Sequence, residues 1–292
     1  MTIAIYGRTL DSASTQEALQ RLLNKLEKTK VRVIFYAPFL KEIEKKIKLR
    51  SPKTFSTHID LEGKVKFLFS IGGDGTLLDT VTLIRDSNIP VMGINTGRLG
   101  FISSIAIDEI ETAVDAVLKG HYLPDKRTLL KLDIKGKYFS ECRYALNEIS
   151  VQKADSSSML TIHASLNGKF LNSYWADGLI TATPTGSTAY SLSCGGPIVM
   201  PDSDNFVITP VAPHNLNVRP VIISSNDVIT LEVESRNPNY LVSIDSRSET
   251  IPASVKISIK KANFLISLIK LHNHDFLSTL RNKLMWGVDK RN

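Results

Sequence analysis

The sequence predicts an α/β N-terminal domain with a parallel, Rossmann-like sheet, followed by a predominantly antiparallel β-sandwich C-terminal domain. Three observations carry this. Apolar strand runs alternate with amphipathic helices up to about residue 120. After about residue 125 the segments become short and β-rich, and Asn167-Gly168 between two of them is a strong hairpin signal. The length, 292 residues, suits one large domain or two ordinary ones. Hydrophobic residues at 42% and charged residues at 22% exclude disordered, collagen-like and fibrous classes.

In chain order, TIAIY (2–6) reads as a short buried strand. Ser14-Thr15-Gln16-Glu17 has capping-box spacing, with Ser14 as N-cap. The helix that follows places Ala18, Leu19, Leu22, Leu23 and Leu26 on one face. VRVIFY (31–36) is the next strand, and a helix is expected over 39–50, where Ile43 and Ile47 keep helical spacing among charges. VKFLFSI (65–71) runs straight into GGDGT; a helix over 76–85 and a strand at 90–94 follow. Residues 107–119 form a helix closed by Gly120. Strands are then expected at 129–135, 141–153, 158–166, 170–176, 178–182, 207–211, 220–224, 228–234, 240–244 and 255–260, interrupted by one helical stretch at 186–193. The tail 275–286 returns to helical periodicity through Phe276, Leu277, Leu280 and Leu284. The expected division is 1–125 for the α/β domain carrying GGDGT, 126–270 for the β-sandwich, and 271–292 for a C-terminal helix.

The net charge of +7 is mild and without a basic stripe interleaved with aromatics, so no nucleic-acid partner is expected. A basic chain serves phosphate-rich small molecules equally well. No apolar run approaches the roughly 20 residues that span a bilayer, and the start MTIAIYGRTLD lacks a secretory pattern. The expectation is a cytoplasmic protein with no membrane partner. Two cysteines, Cys142 and Cys194, and six histidines show no metal spacing.

Two stretches carry chemistry. Gly72-Gly73-Asp74-Gly75-Thr76 follows a strand and opens a helix, where ligands bind in an open α/β sheet. Glycines let backbone N–H groups approach a phosphate, so Gly72, Gly73, Gly75 and Thr76 are phosphate-binding candidates. The loop is neither a Walker pattern nor a G-x-G-x-x-G fingerprint. Asp74 would repel a polyphosphate. It reads either as a group that takes a proton from an attacking hydroxyl or helps hold a divalent cation, or as a turn aspartate capping the helix. The second stretch is Asp177-Gly178 through Gly195-Gly196-Pro197, rich in small hydroxylated residues, with Tyr190 offering a ring for base stacking. Asn95-Thr96-Gly97-Arg98-Leu99-Gly100-Phe101 sits at another strand's carboxyl end; Arg98 reads as an ion-pair partner or a phosphate ligand. Asn147-Glu148, inside an apolar run, suits a ribose diol, or else is an edge-strand polar pair.

Taken in this order, GGDGT, NTGRLGF, the Asn-Glu pair and DGLITATPTGSTAYSLSCGGP resemble the NAD kinase family, over about residues 66–245. The resemblance implies transfer of the γ-phosphoryl of ATP to the 2′-hydroxyl of the adenosine ribose of NAD, with a divalent cation, Mg²⁺ being expected. It implies Asp74 as general base, and Asp74, Gly75, Asn147, Glu148, Asp177, Thr185, Thr188, Ala189, Tyr190, Ser193 and Ala212 as NAD-binding residues. It also implies a homo-oligomer, tetramer or dimer, and a C-terminal helix that returns to the first domain. The chain departs from the family at Asp79, where a basic residue is common, and at Asp245-Ser246-Arg247, where Asp-Gly-Gln is common. The rival readings are a lipid kinase of the diacylglycerol or sphingosine type, which resembles the chain in GGDGT, and a non-catalytic NAD(P)-binding regulator. A dehydrogenase is disfavoured by the missing dinucleotide fingerprint.

Overall fold

The computed structural model describes residues 1–49, 51–98, 100–155 and 159–285. Arg50 of the expected helix 39–50, Leu99 of NTGRLGF, residue 158 of the expected strand 158–166, and the tail from Trp286 lie outside the described residues. The chain divides into two compact units: Met1–Lys126 with the chain from Ile266 onward, and Arg127–Leu265.

In the first unit a parallel sheet runs in the order Val91–Ile94, Phe67–Ile71, Thr2–Gly7, Arg32–Tyr36, Lys53–Phe55. Leu268 pairs in parallel beside Val91. Phe67–Ile71 is buried throughout, as a central parallel strand covered by helices must be. The helix Ala13–Glu27 buries the expected face, Ala18, Leu19, Leu22, Leu23 and Leu26. Its N-cap is Ser12, however, and not Ser14: the Ser12 hydroxyl accepts from the Thr15 amide at 3.1 Å. Glu17 reaches no cap. It pairs with Arg21 one turn on at 2.9 Å, an exposed i,i+4 pair. The next helix, Ala37–Glu44, starts at once after its strand with Pro38 in its first turn and stops six residues before the expected end. The helix expected over 76–85 is two short ones, Asp74–Asp79 and Val81–Ile84. At the break the Thr80 hydroxyl donates back to the Leu77 carbonyl at 2.6 Å, the competition that bends helices at threonine. The strand Lys53–Phe55 and the helix His58–Leu61 were not expected; elements this short hold too few residues for a period to register. A 3₁₀ turn, Ile107–Glu109, leads into Ile110–Lys119, which Gly120 closes.

The second unit is a sandwich. One layer runs antiparallel in the order Val221–Ser224, Asn205–Val211, Gly178–Ala182, Glu148–Lys153, Asn239–Ile244, Arg247–Pro252. The last of these was not expected. The other layer contains Lys169–Ala176, Leu160–Leu166, Ile229–Ser235 and the first residues of Ile257–Lys270, also antiparallel. Ile149, Val151, Leu179 and Val242 from the first layer share one buried cluster with Ile162, Ala164, Leu231 and Ile257 from the second. The Asn167-Gly168 turn joins its two strands with φ of 50° and 78°, the left-handed pair that a two-residue hairpin needs.

Strand alternation then decides the outer face of the first layer. Ile149 and Val151 point into the core, so Glu148, Ser150 and Gln152 point out. On that face Ile180, Ala182, Val199 and Val207 form a small second cluster. The Asp177–Pro197 stretch folds back there: the Ser191 and Thr209 hydroxyls meet at 2.8 Å.

Candidate functional site

In the first unit the glycine loop leaves the strand Phe67–Ile71 and opens the helix Asp74–Asp79. Gly72 has φ +149°, and a Cβ there would lie 2.3 Å from the Thr76 hydroxyl, so no other residue fits without rearrangement. Thr76 is buried under it, and its amide donates to the Gly73 carbonyl at 3.0 Å. Gly73 is open, with nothing within 4 Å of an added Cβ. Gly75 borders the Arg8 guanidinium, 3.6 Å from its would-be Cβ.

Asp74 is held by three backbone donors. The Phe101 amide reaches one carboxylate oxygen at 2.8 Å; the Ile102 and Ser103 amides reach the other at 3.2 and 2.9 Å. The NTGRLGF loop therefore carries the carboxylate's cradle. Asn95, buried at the loop's start, shapes it by donating to the Arg98 and Ser103 carbonyls at 3.0 and 3.1 Å. Arg98 itself is exposed and makes no ion pair among the described residues. Lys283, on the C-terminal helix Phe276–Leu284, stands 3.7 Å from Asp74 and 4.5 Å over the Phe101 ring. Sequence reasoning missed Lys283, because nothing local marks a lysine about two hundred residues away as a partner of the loop. Asp79 is engaged by Arg8, with one contact at 2.8 Å, and by the Tyr6 hydroxyl at 3.0 Å. Burial, then Asp79's charge, raises Tyr6 above the usual phenol range.

In the second unit the Asn147 carbonyl accepts from the Thr183 amide at 2.8 Å, and the Thr183 hydroxyl donates to the Leu146 carbonyl at 2.6 Å. These bonds bring the start of the Thr183–Gly186 turn onto the Asn147-Glu148 pair. Asn147 is buried, and one Glu148 carboxyl oxygen is buried without a hydrogen-bond partner among the described residues. Burial, with Asp245's charge second, pushes Glu148 up to about 8. Burial raises both the Tyr190 phenol and the Cys194 thiol, in and next to the short helix Tyr190–Ser193, with Glu148's charge a smaller contribution to each. Tyr190 is 40% exposed, which sets it apart from core tyrosines such as Tyr174 at 1%. Ser193 is exposed, while Thr188 and Ala189 are half-buried.

The remaining candidates divide. Thr185 is buried and accepts from Arg127 at 3.1 Å. Asp177 pairs with Lys153 at 2.8 Å, and its amide donates to the Val211 carbonyl, so Ala212 lies next to it. Ala212 is exposed at φ +44°, an uncommon backbone for a residue with a Cβ. Arg247 reaches back to the carbonyls of Cys142 and Tyr144, the latter at 2.7 Å. It is a clamp on that segment.

Residues 9–122 match the family described as ATP-NAD kinase N-terminal domain, and residues 146–271 match ATP-NAD kinase C-terminal domain. An NAD kinase of Cytophaga hutchinsonii is 47% identical over 294 residues, and one of Bacteroides fragilis is 43% identical over 291; in both cases all of each chain is covered. Among solved structures, yeast NADH kinase complexed with NADH superposes with a TM-score of 0.89 at 24% identity, covering 99% of this chain and 88% of that one. An NAD kinase from Archaeoglobus fulgidus in complex with ATP gives 0.77 at 24% identity, covering 98% and 99%. At that identity the two structures speak for the fold. Both domain matches and the full-length relatives speak for the rest: the chain belongs to the NAD kinase family and is a phosphotransferase that acts on NAD.

Proposed function

We propose that the protein transfers the γ-phosphoryl of ATP to the 2′-hydroxyl of the adenosine ribose of NAD, giving NADP. Asp74 takes the hydroxyl proton, and Asn147 and Glu148 hold ribose hydroxyls. The observation that carries this reading is the buried, partnerless Glu148 oxygen beside buried Asn147. A buried polar atom without a partner is costly, and donors from a ligand diol relieve that cost. The Asp74 cradle supports the second part: three amides fix the direction in which the carboxylate presents its remaining lone pairs. Gly73 and Gly75 leave room for backbone approach to a phosphate, and Gly75, Asp177, Thr185, Thr188, Ala189, Ser193 and Ala212 complete the NAD-contacting set in this reading.

The reading includes Mg²⁺. Among the described residues no three His, Cys, Asp or Glu side chains converge. The fit is therefore to a cation carried on phosphate oxygens and water, the usual Mg²⁺ arrangement, and not to a protein cage. Such an ion would neutralise charge on the transferred group. A homo-oligomer is also part of the reading, in keeping with the exposed Phe170, Trp175 and Leu216. So is a cytoplasmic location, in keeping with two cysteines that are free thiols. Among the described residues no helix is long and apolar enough to cross a membrane.

Purified protein incubated with NAD, ATP and magnesium should produce NADP, and chelation should stop it. Product without added or bound metal removes the cation from the reading. Turnover of diacylglycerol or sphingosine in place of NAD favours the lipid-kinase rival.

A narrower expectation concerns Tyr190. Its ring stacks on a base in this reading, and stacking is worth roughly 1–3 kcal/mol in nucleic-acid complexes. Tyr190→Phe should bind NAD nearly as well as wild type. Tyr190→Ala should weaken binding by about tenfold or more and leave the melting temperature of the unliganded protein little changed, in keeping with the residue's 40% exposure. A large melting loss with unchanged affinity would instead mark the ring as core.

A further inference from the structure

Beside the Asn147-Glu148 pair lies Asp245, a half-buried residue whose carboxylate is turned onto backbone amides. It accepts from three successive backbone amides, Leu146 at 2.8 Å, Asn147 at 2.9 Å and Glu148 at 3.1 Å. Its own backbone is left-handed, φ +51°, at the turn between the strands Asn239–Ile244 and Arg247–Pro252. Two residues on, Arg247 takes the Cys142 and Tyr144 carbonyls. One turn thus grips the segment 142–148 from both sides, with carbonyls bound by Arg247 and amides by Asp245. The amides of residues 146–148 are all taken by Asp245, and among the described residues one Glu148 oxygen is buried without a partner.

We propose that Asp245 is a positioning residue for the Asn147-Glu148 pair, and that a ribose diol entering this site drives a proton off Glu148 into solvent. This rests on the reading of the pair as a ribose clamp. Two neighbouring carboxylates shielded from water do not both ionise readily. Burial pushes Asp245 up to about 6 against the pull of its three amides and Arg247, while Glu148 stands at about 8. In the free protein Glu148 therefore holds its proton more tightly than Asp245 does. The other titratable neighbours do not supply the proton. Tyr190 and Cys194 are both raised by burial and stay neutral, and Asp177 is paired with Lys153. A protonated carboxyl has one oxygen occupied by its own hydrogen, whereas the ionised form accepts from two hydroxyls. The diol's two donors thus replace the proton.

The sign follows. A group whose pKa is high in the free protein and low in the complex makes binding tighten as pH rises, by up to about tenfold per unit, until the free-protein value near 8 is passed.

The test is calorimetric titration of NAD into the 292-residue protein at pH 7 in two buffers of different ionisation heat. Wild type should release about half to one proton per NAD, and Glu148→Gln should release none while binding about tenfold more weakly. Buffer-independent heats for wild type, or release that persists in Glu148→Gln, overturn the inference. Unchanged NAD affinity in Glu148→Gln instead overturns the ribose clamp itself. Asp245→Asn, with Asp245→Ser in parallel because its smaller side chain leaves room for a water on the amides, should move the pH profile of NAD affinity to lower pH. A folded variant of either kind that keeps the wild-type profile overturns the role of Asp245.

Discussion

Asp74→Asn should lower kcat by roughly 10²- to 10⁴-fold, the usual cost of losing a general base, or about 2.7–5.5 kcal/mol of barrier. The substitution keeps size but cannot accept the proton of the attacking hydroxyl. It has a structural consequence as well. Both carboxylate oxygens accept amide hydrogens, from Phe101 on one side and from Ile102 and Ser103 on the other. An amide side chain can serve only one side and turns its NH₂ toward a donor on the other. An unsatisfied donor costs roughly 1–3 kcal/mol, so the melting temperature should fall by several degrees. NAD binding should be largely kept. Steady-state kinetics with calorimetric NAD affinity separates the roles. A kcat within about threefold of wild type sinks the base assignment, and an effect confined to KM makes Asp74 a binding residue.

Gly100→Ala is the second large effect, and it acts on the same carboxylate without touching its chemistry. A Cβ on Gly100 would lie 1.9 Å from the near Asp74 oxygen and 2.6 Å from its carboxyl carbon. Both cannot stay, so either the carboxylate leaves its cradle or the 100–103 turn moves with it. Displacement of a reacting group by about 1 Å is enough to cost about 10²-fold, and kcat should fall by that order while the protein remains folded. The double variant Asp74→Asn/Gly100→Ala should lose little beyond Asp74→Asn alone, since the two act on one group. A folded Gly100→Ala protein with wild-type kcat shows that the cradle plays no part in the reaction.

What the sequence determined by itself was everything whose cause is local. Alternating apolar runs and 3.6-residue stripes gave away the parallel layer and the buried face of Ala13–Glu27, because side-chain direction repeats within a single element. The Asn167-Gly168 hairpin was legible because two adjacent left-handed residues demand those residue types. The candidate residues were legible for the same reason, gathered in short runs at strand ends. Local reading failed where two local solutions compete. Ser12 and Ser14 both suit an N-cap, and the Ser12 hydroxyl takes the Thr15 amide.

Only the tertiary structure decided which partners those residues have. Asp74 is gripped by amides 27 to 29 residues away, and the amides of residues 146–148 by a carboxylate 97 to 99 residues away. Asp79 is met by Arg8, 71 residues earlier, and Arg247 turns inward to two carbonyls. A hydrogen bond or ion pair depends on distance in space to within a few tenths of an ångström. Periodicity and composition carry no information about which distant amide or carboxylate the fold brings to that distance. The environment of Glu148 belongs to the same class: its residue type says carboxylate, and only burial, with Asp245's charge second, pushes it up to about 8.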